Sequence, residues 1–392
     1  MSRFLPYSPD QDALLPCNVR DVLPSDHLCF FMHEVVEKLD LRCFVEAYSD
    51  EGGALYHPSL MLKVWLYAYA LGMTSSRRLE QRIREDLAFR YLAGGAEPDY
   101  WALNAFRKRH REGIEEAFVQ VVLLAQRVGL GRMGTVAIDS TRIKASASPD
   151  RVERKVIART RRKVQEWNHA CDKDDPNEGV GMSVGSAMDK LKAVDKIEIA
   201  PEASEGKQVK RSVTDPDARF LRSRSGFVLG YTGEIAVSED HLIVAARVTQ
   251  NAHDVHALVP MTEVVERNCR RRLRCIVADS GFYSNANVKQ LEQRGIQTYI
   301  PDSNMARELN VGSKAEDDPR FEPVQKKMRR KLRSHKGQAV YARRKAIVEP
   351  VFGVIKEQRN LRSFRLRGID KVNTEFLLAA LAYNITRLFR RR

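Results

Sequence analysis

Two short apolar segments each run directly into an aspartate, and this pattern constrains the fold more than any other feature. Residues 135–138 precede Asp139, and residues 273–278 precede Asp279. Apolar runs of this length are typical of buried strands, and α/β sheets present functional groups at the carboxyl ends of their strands. We therefore predict two buried strands that each end at an acid. The alternative for either aspartate alone is an ordinary strand-end turn that caps the next loop.

The segments around these strands indicate a mixed sheet with helices on its faces. Three strand-like segments follow one another with the spacing of an antiparallel meander, and then helices alternate with strands. The predicted meander strands are 226–231, 235–237 and 242–248, the helices 253–268 and 285–295, and the last strand 296–300. Residues 150–211 interrupt this pattern with a basic helix and a polar stretch.

The first 130 residues are predicted to be helical. An apolar helix over residues 60–71 stops at Gly72, and a third helix begins at Asp99 and runs toward Gln126. Between them, a second helix carries its apolar residues on one face and arginines on the other. Its apolar residues are Leu79, Ile83, Leu87 and Tyr91, and its arginines include Arg77, Arg78 and Arg82. Helices joined in this way fit a helix-turn-helix type of DNA-binding bundle, with a plain helical bundle as the equal alternative.

Length and charge divide the chain further. A chain of 392 residues suggests two or three domains, here 1–130 and 131–392, and its net charge is +15. Residues 326–392 hold 20 Lys and Arg against four acids, so this region alone is +16. Such a cationic block is typical of a protein that binds a polyanion. Membrane binding would need a basic helix with an apolar face, and plain solubility is the remaining alternative.

Glu349 is a third candidate acid, isolated among cations. Because proline is tolerated near a helix start, Pro350 predicts that a helix begins within about four residues of Glu349. Lys356, seven residues later, would share a helix face with Glu349 if the helix is regular. A salt bridge to its basic neighbours is the alternative role for this glutamate.

Three acidic ligands without a His or Cys set suit Mg²⁺ or Mn²⁺, and two such ions can hold the attacking and leaving oxygens of a phosphoryl displacement. The six cysteines form no C-x-x-C pair, which argues against a zinc site. Metal-dependent cleavage or joining of nucleic acid is therefore the predicted chemistry.

With these residues in view, most of the chain resembles the DDE transposases of bacterial insertion sequences, in the branch with a tyrosine-arginine-glutamate-lysine signature. The similarity is carried by short motifs in a characteristic order. In the N-terminal part these are Tyr56-His57-Pro58, Ser75-Ser76-Arg77-Arg78, Glu85-Asp86-Leu87-Ala88-Phe89-Arg90, Pro98-Asp99 and Phe106-Arg107. Further on they are Val136–Thr141, Asp215–Arg219 with Gly230-Tyr231, Ala278–Tyr283, and Val348–Gly353 with Lys356.

The resemblance implies a ribonuclease-H-like fold in which Asp139, Asp279 and Glu349 bind two Mg²⁺ or Mn²⁺ ions. Tyr341 and Lys356 would match the signature residues that hold DNA phosphates near the cut. The chain departs from the signature by one extra residue between arginine and glutamate. Arg344 keeps the usual spacing from Tyr341, whereas Lys345 keeps the spacing to Glu349, so either could inherit the phosphate contact.

The resulting hypothesis is a transposase that binds the terminal inverted repeats of its element and performs strand cleavage and transfer. Its expected partners are double-stranded repeat and target DNA and a second copy of the chain, with no membrane. The first six residues do not form the apolar core of a signal peptide, and we therefore expect a cytoplasmic, nucleoid-associated protein. The alternatives are a related metal-dependent nuclease that cuts without joining and a catalytically inert, transposase-derived DNA-binding protein.

Overall fold

A computed structural model describes residues 18–48, 56–149, 212–223, 226–312 and 317–391. A mixed sheet is flanked by helices, and a helical region precedes it in sequence, as the sequence predicts. The basic helix and polar stretch predicted between residues 150 and 211 lie outside the described residues.

The N-terminal helices form around apolar segments with clear ends. Helix α4, Pro58–Ala70, stops before Gly72, whose positive φ of 75° suits glycine. A side chain at Gly72 would also meet the backbone of Arg359. Among the described residues before 130, the helices are α1 Val19–Val22, α2 Leu28–Glu37, α3 Arg42–Val45, α4 Pro58–Ala70, α5 Ser76–Glu85, α6 Leu87–Ala93, α7 Tyr100–Arg109 and α8 Arg111–Arg127.

The prediction of one continuous helix after Ser76 is wrong, because Asp86 breaks it. Asp86 adopts an extended conformation, and its carboxylate accepts hydrogen bonds from the first backbone N–H groups of α6. Leu79 and Ile83 are buried as expected, but Leu87 is 41% exposed. The predicted third helix is likewise two helices, α7 and α8, separated at His110. Local capping thus overrides a helical apolar pattern.

In the part of the chain that the structure describes, six strands form the sheet, in the order β2-β3-β1-β5-β6, with β4 also paired to β3. The pairings among β1, β2, β3 and β4 are antiparallel, whereas β1 with β5 and β5 with β6 are parallel. The predicted meander is confirmed only in part. Its first two strands are one long strand, β3, which pairs antiparallel with β4, and β2 was not predicted. The strands are β1 Val136–Lys144, β2 Arg219–Ser223, β3 Gly226–Ser238, β4 Ile243–Thr249, β5 Cys275–Ala278 and β6 Gln297–Tyr299.

Asp139 does not end its strand, which corrects the sequence prediction. The antiparallel pairing of β1 with β3 continues to Lys144, while its parallel pairing with β5 stops at Ile138 opposite Ala278. The apolar run before Asp139 predicts only the first part of β1, which is fully buried and has a neighbouring strand on each side. Asp279 does end its strand, as predicted.

The remaining helices cover the sheet and join it to the N-terminal region. Helix α14 packs against β4 and also against α4 and α8, so it contributes to both parts of the core. These helices are α9 Leu258–Cys269, α10 Asn285–Gln293, α11 Ser303–Val311, α12 Pro323–Arg333, α13 His335–Gly353 and α14 Ile369–Phe389.

The predicted helix start at Pro350 is also wrong. Helix α13 begins at His335, Ser334 caps it, and Pro350 lies inside it. Proline removes one backbone hydrogen bond and crowds the preceding turn. Here the helix continues because its buried face packs on β1 and β5, and a wider π-helical turn, Val354–Gln358, follows it.

Candidate active site

An open cavity of about 900 Å³ lies where β5 leaves the side of β1. Asp139 and Asp279 both line it, and so do several cations from separate elements. Its lining includes Thr141, Arg142 and Lys144 of β1, Arg222 and Ser223 of β2, Val228 of β3, Asp254, and Lys356, Glu357 and Arg362 after α13. The other charged residues that line the cavity are mostly cations, five of them against the two acids Asp254 and Glu357.

The parallel register of β1 and β5 brings the two acids together. Asp139 and Asp279 each follow the last paired residues of these strands, so both carboxylates emerge at the same edge. Asp139 accepts a hydrogen bond from the backbone of Ser140 at 2.8 Å. Asp279 accepts one from the backbone of Gly281 at 2.9 Å, which fixes the turn that follows β5.

Burial and mutual repulsion make both carboxylates harder to ionise. Burial, and then the nearby charge of Asp279, raise the pKa of Asp139 to about 6, although Arg344 opposes this shift. Burial also raises the pKa of Asp279 above its usual value, again against the influence of Arg344. Both groups would be stabilised in their ionised form by additional positive charge.

Arg344 supplies positive charge from helix α13. Its Nη1 lies 3.0 Å from Oδ2 of Asp139, and its side chain is only 12% exposed. Its guanidinium carbon lies 6.0 Å from the centre of the Tyr341 ring. Lys345 is exposed and, together with Tyr341 and Arg344, lines a neighbouring cavity of about 750 Å³ between α11 and α13. Of the two residues left open by the sequence, Arg344 is the one that contacts an acid of the pair.

Lys356 reaches the same cavity from the π-helical turn. Its Nζ donates a hydrogen bond to Oγ1 of Thr141 at 2.9 Å, and burial lowers its pKa. The turn is not a regular α-helix, so the condition under which Glu349 and Lys356 would share a face is not met.

Glu349 lies apart from the two aspartates. It is exposed on α13, one turn beyond Lys345, and it does not line the cavity that holds Asp139 and Asp279. Among the described residues, no group of three His, Cys, Asp or Glu side chains is close enough to hold a metal ion. The structure therefore brings together two of the three predicted acids.

Asp139 and Asp279 nevertheless suit a hard divalent cation. Their oxygens are the ligand type that Mg²⁺ and Mn²⁺ prefer, and a guanidinium cation already lies against one of them. The fit covers this pair of acids and does not extend to Glu349.

The predicted DNA-binding arginines of α5 differ in their surroundings. Arg78 and Arg82 line a cavity of about 610 Å³, together with Arg365 from the segment before α14. The guanidinium carbon of Arg77 lies 5.1 Å from the centre of the Tyr100 ring instead. Nη1 of Arg82 also lies 3.9 Å from Oδ2 of Asp86. This cavity therefore combines cations from both ends of the chain.

Part of the basic C-terminal region serves the fold. Arg329 is 1% exposed and lies within 3.6 Å of carboxylate oxygens of Asp302, Glu308 and Asp317. Arg333 also pairs with Glu308 and Asp317. The positive charge of residues 326–392 is therefore not wholly available to a polyanion, since acids outside this region neutralise some of it.

Sequence reasoning missed the rim residues of the cavity, because they lie in no motif. Lys144, Arg222 and Arg362 come from three elements that only the sheet brings together. The block Asp215–Arg219 was found as a motif, and two of its acids tie it to α14. Asp215 accepts hydrogen bonds from Tyr231 and from the backbone of Gly368, and Asp217 accepts one from the backbone of Ile369.

Comparison with known families agrees with this architecture. Residues 209–385 match the family model described as "Transposase DDE domain", and residues 18–109 match the one described as "Transposase domain (DUF772)". No curated protein matches the chain. Within the described residues, every helix is too short or too polar to cross a membrane. The two family matches together identify the chain as a member of the DDE-type transposases of insertion sequences.

Proposed function

We propose that this transposase binds the terminal inverted repeats of its insertion sequence and catalyses metal-dependent cleavage and strand transfer. We also place it in the branch with the tyrosine-arginine-glutamate-lysine signature. The observation that carries this proposal is the pairing of Asp139 with Asp279 in one cavity whose rim is cationic. Buried carboxylates with raised pKa values favour a bound cation, and a basic rim favours a polyanionic substrate.

In this proposal Asp139 and Asp279 hold a divalent cation, Mg²⁺ or Mn²⁺, and Glu349 completes a site for two ions when DNA is bound. Such ions supply Lewis-acid activation of water and of the phosphodiester. Movement of α13 or of its side chains would be needed, because Arg344 rather than Glu349 faces the pair in this structure. Arg344 would leave Asp139 and take a DNA phosphate.

The surrounding residues would orient the substrate strand. Tyr341, Arg344 and Lys356 are the proposed phosphate contacts, because all three lie beside the acid pair or its neighbouring cavity. Lys345 is exposed and lines the same neighbouring cavity as Tyr341 and Arg344, where it would contact the DNA backbone. Holding the scissile phosphate in line with the attacking oxygen is a major part of phosphoryl transfer catalysis.

Recognition of the element ends is proposed for the helical region within residues 1–130. Arg78 and Arg82 of α5 line a cationic cavity, and Arg77 precedes them on the same helix, so α5 is the proposed contact. The remaining residues, 131–392, would form the catalytic domain. Two copies are proposed to act together, because synapsis of the two element ends would bring together the copies bound to them.

The direct test incubates the full-length protein with a labelled duplex that carries the flanking ends of its own gene, in Mg²⁺ or in EDTA. We expect cleavage at the ends in Mg²⁺ only, and joined products when target DNA is added. Asp279→Ala and Glu349→Gln should abolish both products while the protein still binds the duplex. Glu46→Gln, which changes an exposed glutamate directly after α3, is the matched control and should remain active.

The other outcomes separate the alternatives. Cleavage without joining would identify a nuclease. Salt-sensitive binding without cleavage in either Mg²⁺ or Mn²⁺ would identify an inert DNA-binding protein. Full activity of Glu349→Gln would remove this residue from the site while leaving Asp139 and Asp279 in it.

A further inference from the structure

A third carboxylate, Asp254, lines the cavity that holds Asp139 and Asp279. It lies in a short 3₁₀ turn, Asp254–His256, after strand β4, and its side chain is 17% exposed. The motifs of the sequence do not include it. It nevertheless shares the cavity with the acid pair, whereas Glu349 does not line this cavity.

The two oxygens of Asp254 have different neighbours. Oδ1 lies 3.3 Å from Nη1 of Arg142. Oδ2 is directed toward the turn after β5: a side-chain carbon added to Gly281 would lie 3.3 Å from this oxygen and 3.1 Å from Oδ1 of Asp279. The carboxylates of Asp254 and Asp279 therefore flank the same small space. In agreement, the charge of Asp254 contributes to the raised pKa of both Asp139 and Asp279.

Arg142 holds this arrangement to the sheet. Its Nη1 donates a hydrogen bond to Oγ1 of Thr232 at 2.8 Å, and its Nη2 donates one to the carbonyl of Ala252 at 2.8 Å. The side chain of Arg142 is 18% exposed. Asp254 is consequently fixed by a partly buried ion pair, and Arg142 places a positive charge near Asp279 that lowers the pKa of that acid. The two members of the pair act on the site with opposite charges.

We propose that Asp254 is a positioning residue for the divalent cation that Asp139 and Asp279 hold, and that it acts through its negative charge from outside the direct ligand set. The absence of a three-acid metal cluster among the described residues argues against direct coordination by Asp254 in this conformation. Groups just outside a ligand set commonly change metal affinity 10- to 100-fold. This inference rests on the proposed function, since it presupposes a metal at the acid pair.

The test measures Mn²⁺ affinity of the full-length protein without DNA, by electron paramagnetic resonance. Asp254→Asn should weaken binding roughly tenfold or more, because a negative charge is lost. Arg142→Gln should strengthen binding severalfold, because an opposing positive charge is lost. Both substitutions break the same ion pair, so a purely structural role for the pair would change affinity in the same direction in both variants.

Further variants keep the outcomes distinct. Asp254→Glu should retain affinity within a few-fold, because it keeps the charge, and Asp21→Asn on the exposed face of α1 should change nothing. Unchanged affinity in Asp254→Asn, with binding still lost in Asp279→Asn, would overturn this inference alone. The proposed function would be overturned as well if the wild-type protein bound no Mn²⁺, or if Asp279→Asn bound Mn²⁺ as tightly as the wild type does.

Discussion

Nη1 of Arg344 lies 3.0 Å from Oδ2 of Asp139, so a helix that also carries Glu349 presents a cation, rather than an acid, to the first aspartate. Arg344 and Glu349 are five residues apart, which separates them by about 140° around a regular helix. The two side chains cannot both face the acid pair without movement of α13 or of its neighbours.

The contact of Arg344 with Asp139 predicts different roles for the adjacent cations Arg344 and Lys345. Arg344→Gln should reduce cleavage by roughly 10²-fold, because it removes a charged group beside the reacting centre. Lys345→Gln should leave cleavage within about threefold at saturating DNA and weaken duplex binding in a salt-dependent way. Cleavage rates and binding isotherms at two salt concentrations would separate these effects. Equal losses of cleavage in both variants would contradict the assignment.

The raised pKa of Asp139 predicts a pH-dependent cost to stability. Because the carboxyl binds its proton more tightly in the folded chain, with a pKa of about 6 against 3.8, its ionisation destabilises the fold as pH rises from about 4 to 6. The full cost, about 3 kcal/mol, applies above that range. Asp139→Asn should therefore raise the thermal midpoint of metal-free protein at pH 7.5 and raise it by only about a third as much at pH 4.5. An identical shift at both pH values would show that the substitution acts by another route.

The arginines of α5 offer a matched comparison for DNA binding. Arg78 lines the cationic cavity. The guanidinium of Arg84 is instead paired with two acids: its Nη2 lies 3.1 Å from Oε1 of Glu80, and its Nε lies 3.3 Å from Oε2 of Glu97. Arg78→Gln should weaken binding to the element ends. It should also lower the number of phosphate contacts, derived from the slope of log K against log salt concentration, by about one. Arg84→Gln should have little effect, since its charge is already neutralised. Unchanged affinity in Arg78→Gln would remove α5 from the proposed DNA-binding surface.

Buried charge in the basic region predicts a stability effect unrelated to DNA. Arg329→Met would leave three carboxylates without their shared cation and should lower the free energy of unfolding by about 3–5 kcal/mol. Arg330→Met changes the exposed neighbour and should cost much less. Urea denaturation of both variants checks this. A small effect at Arg329 would mean that the acids do not depend on it.

Sequence patterns located most elements but misjudged where several of them begin or end. Asp279 ends β5 as predicted, because both faces of that short strand are buried and its apolar run is complete. The run before Asp139 covers only part of β1, since the strand continues beyond its buried half. At Asp86 a side-chain cap breaks an apolar helical pattern, and at Pro350 tertiary packing preserves a helix that local preference would end. The cavity could be predicted only as far as its motifs, because Asp254 and Arg142 meet through pairing of distant segments.

The packing of α14 has a consequence for synthesis on the ribosome. This helix covers β4 and, at the same time, contacts α4 and α8 from the first third of the chain. Helices made early therefore keep an apolar surface uncovered until the final helix emerges, although earlier parts of a chain can begin to fold during translation. Translation that ends before residue 369 should yield a polypeptide that is cleared by proteolysis. Truncated copies of the gene would therefore produce no partly folded fragment that competes with the full-length protein for DNA.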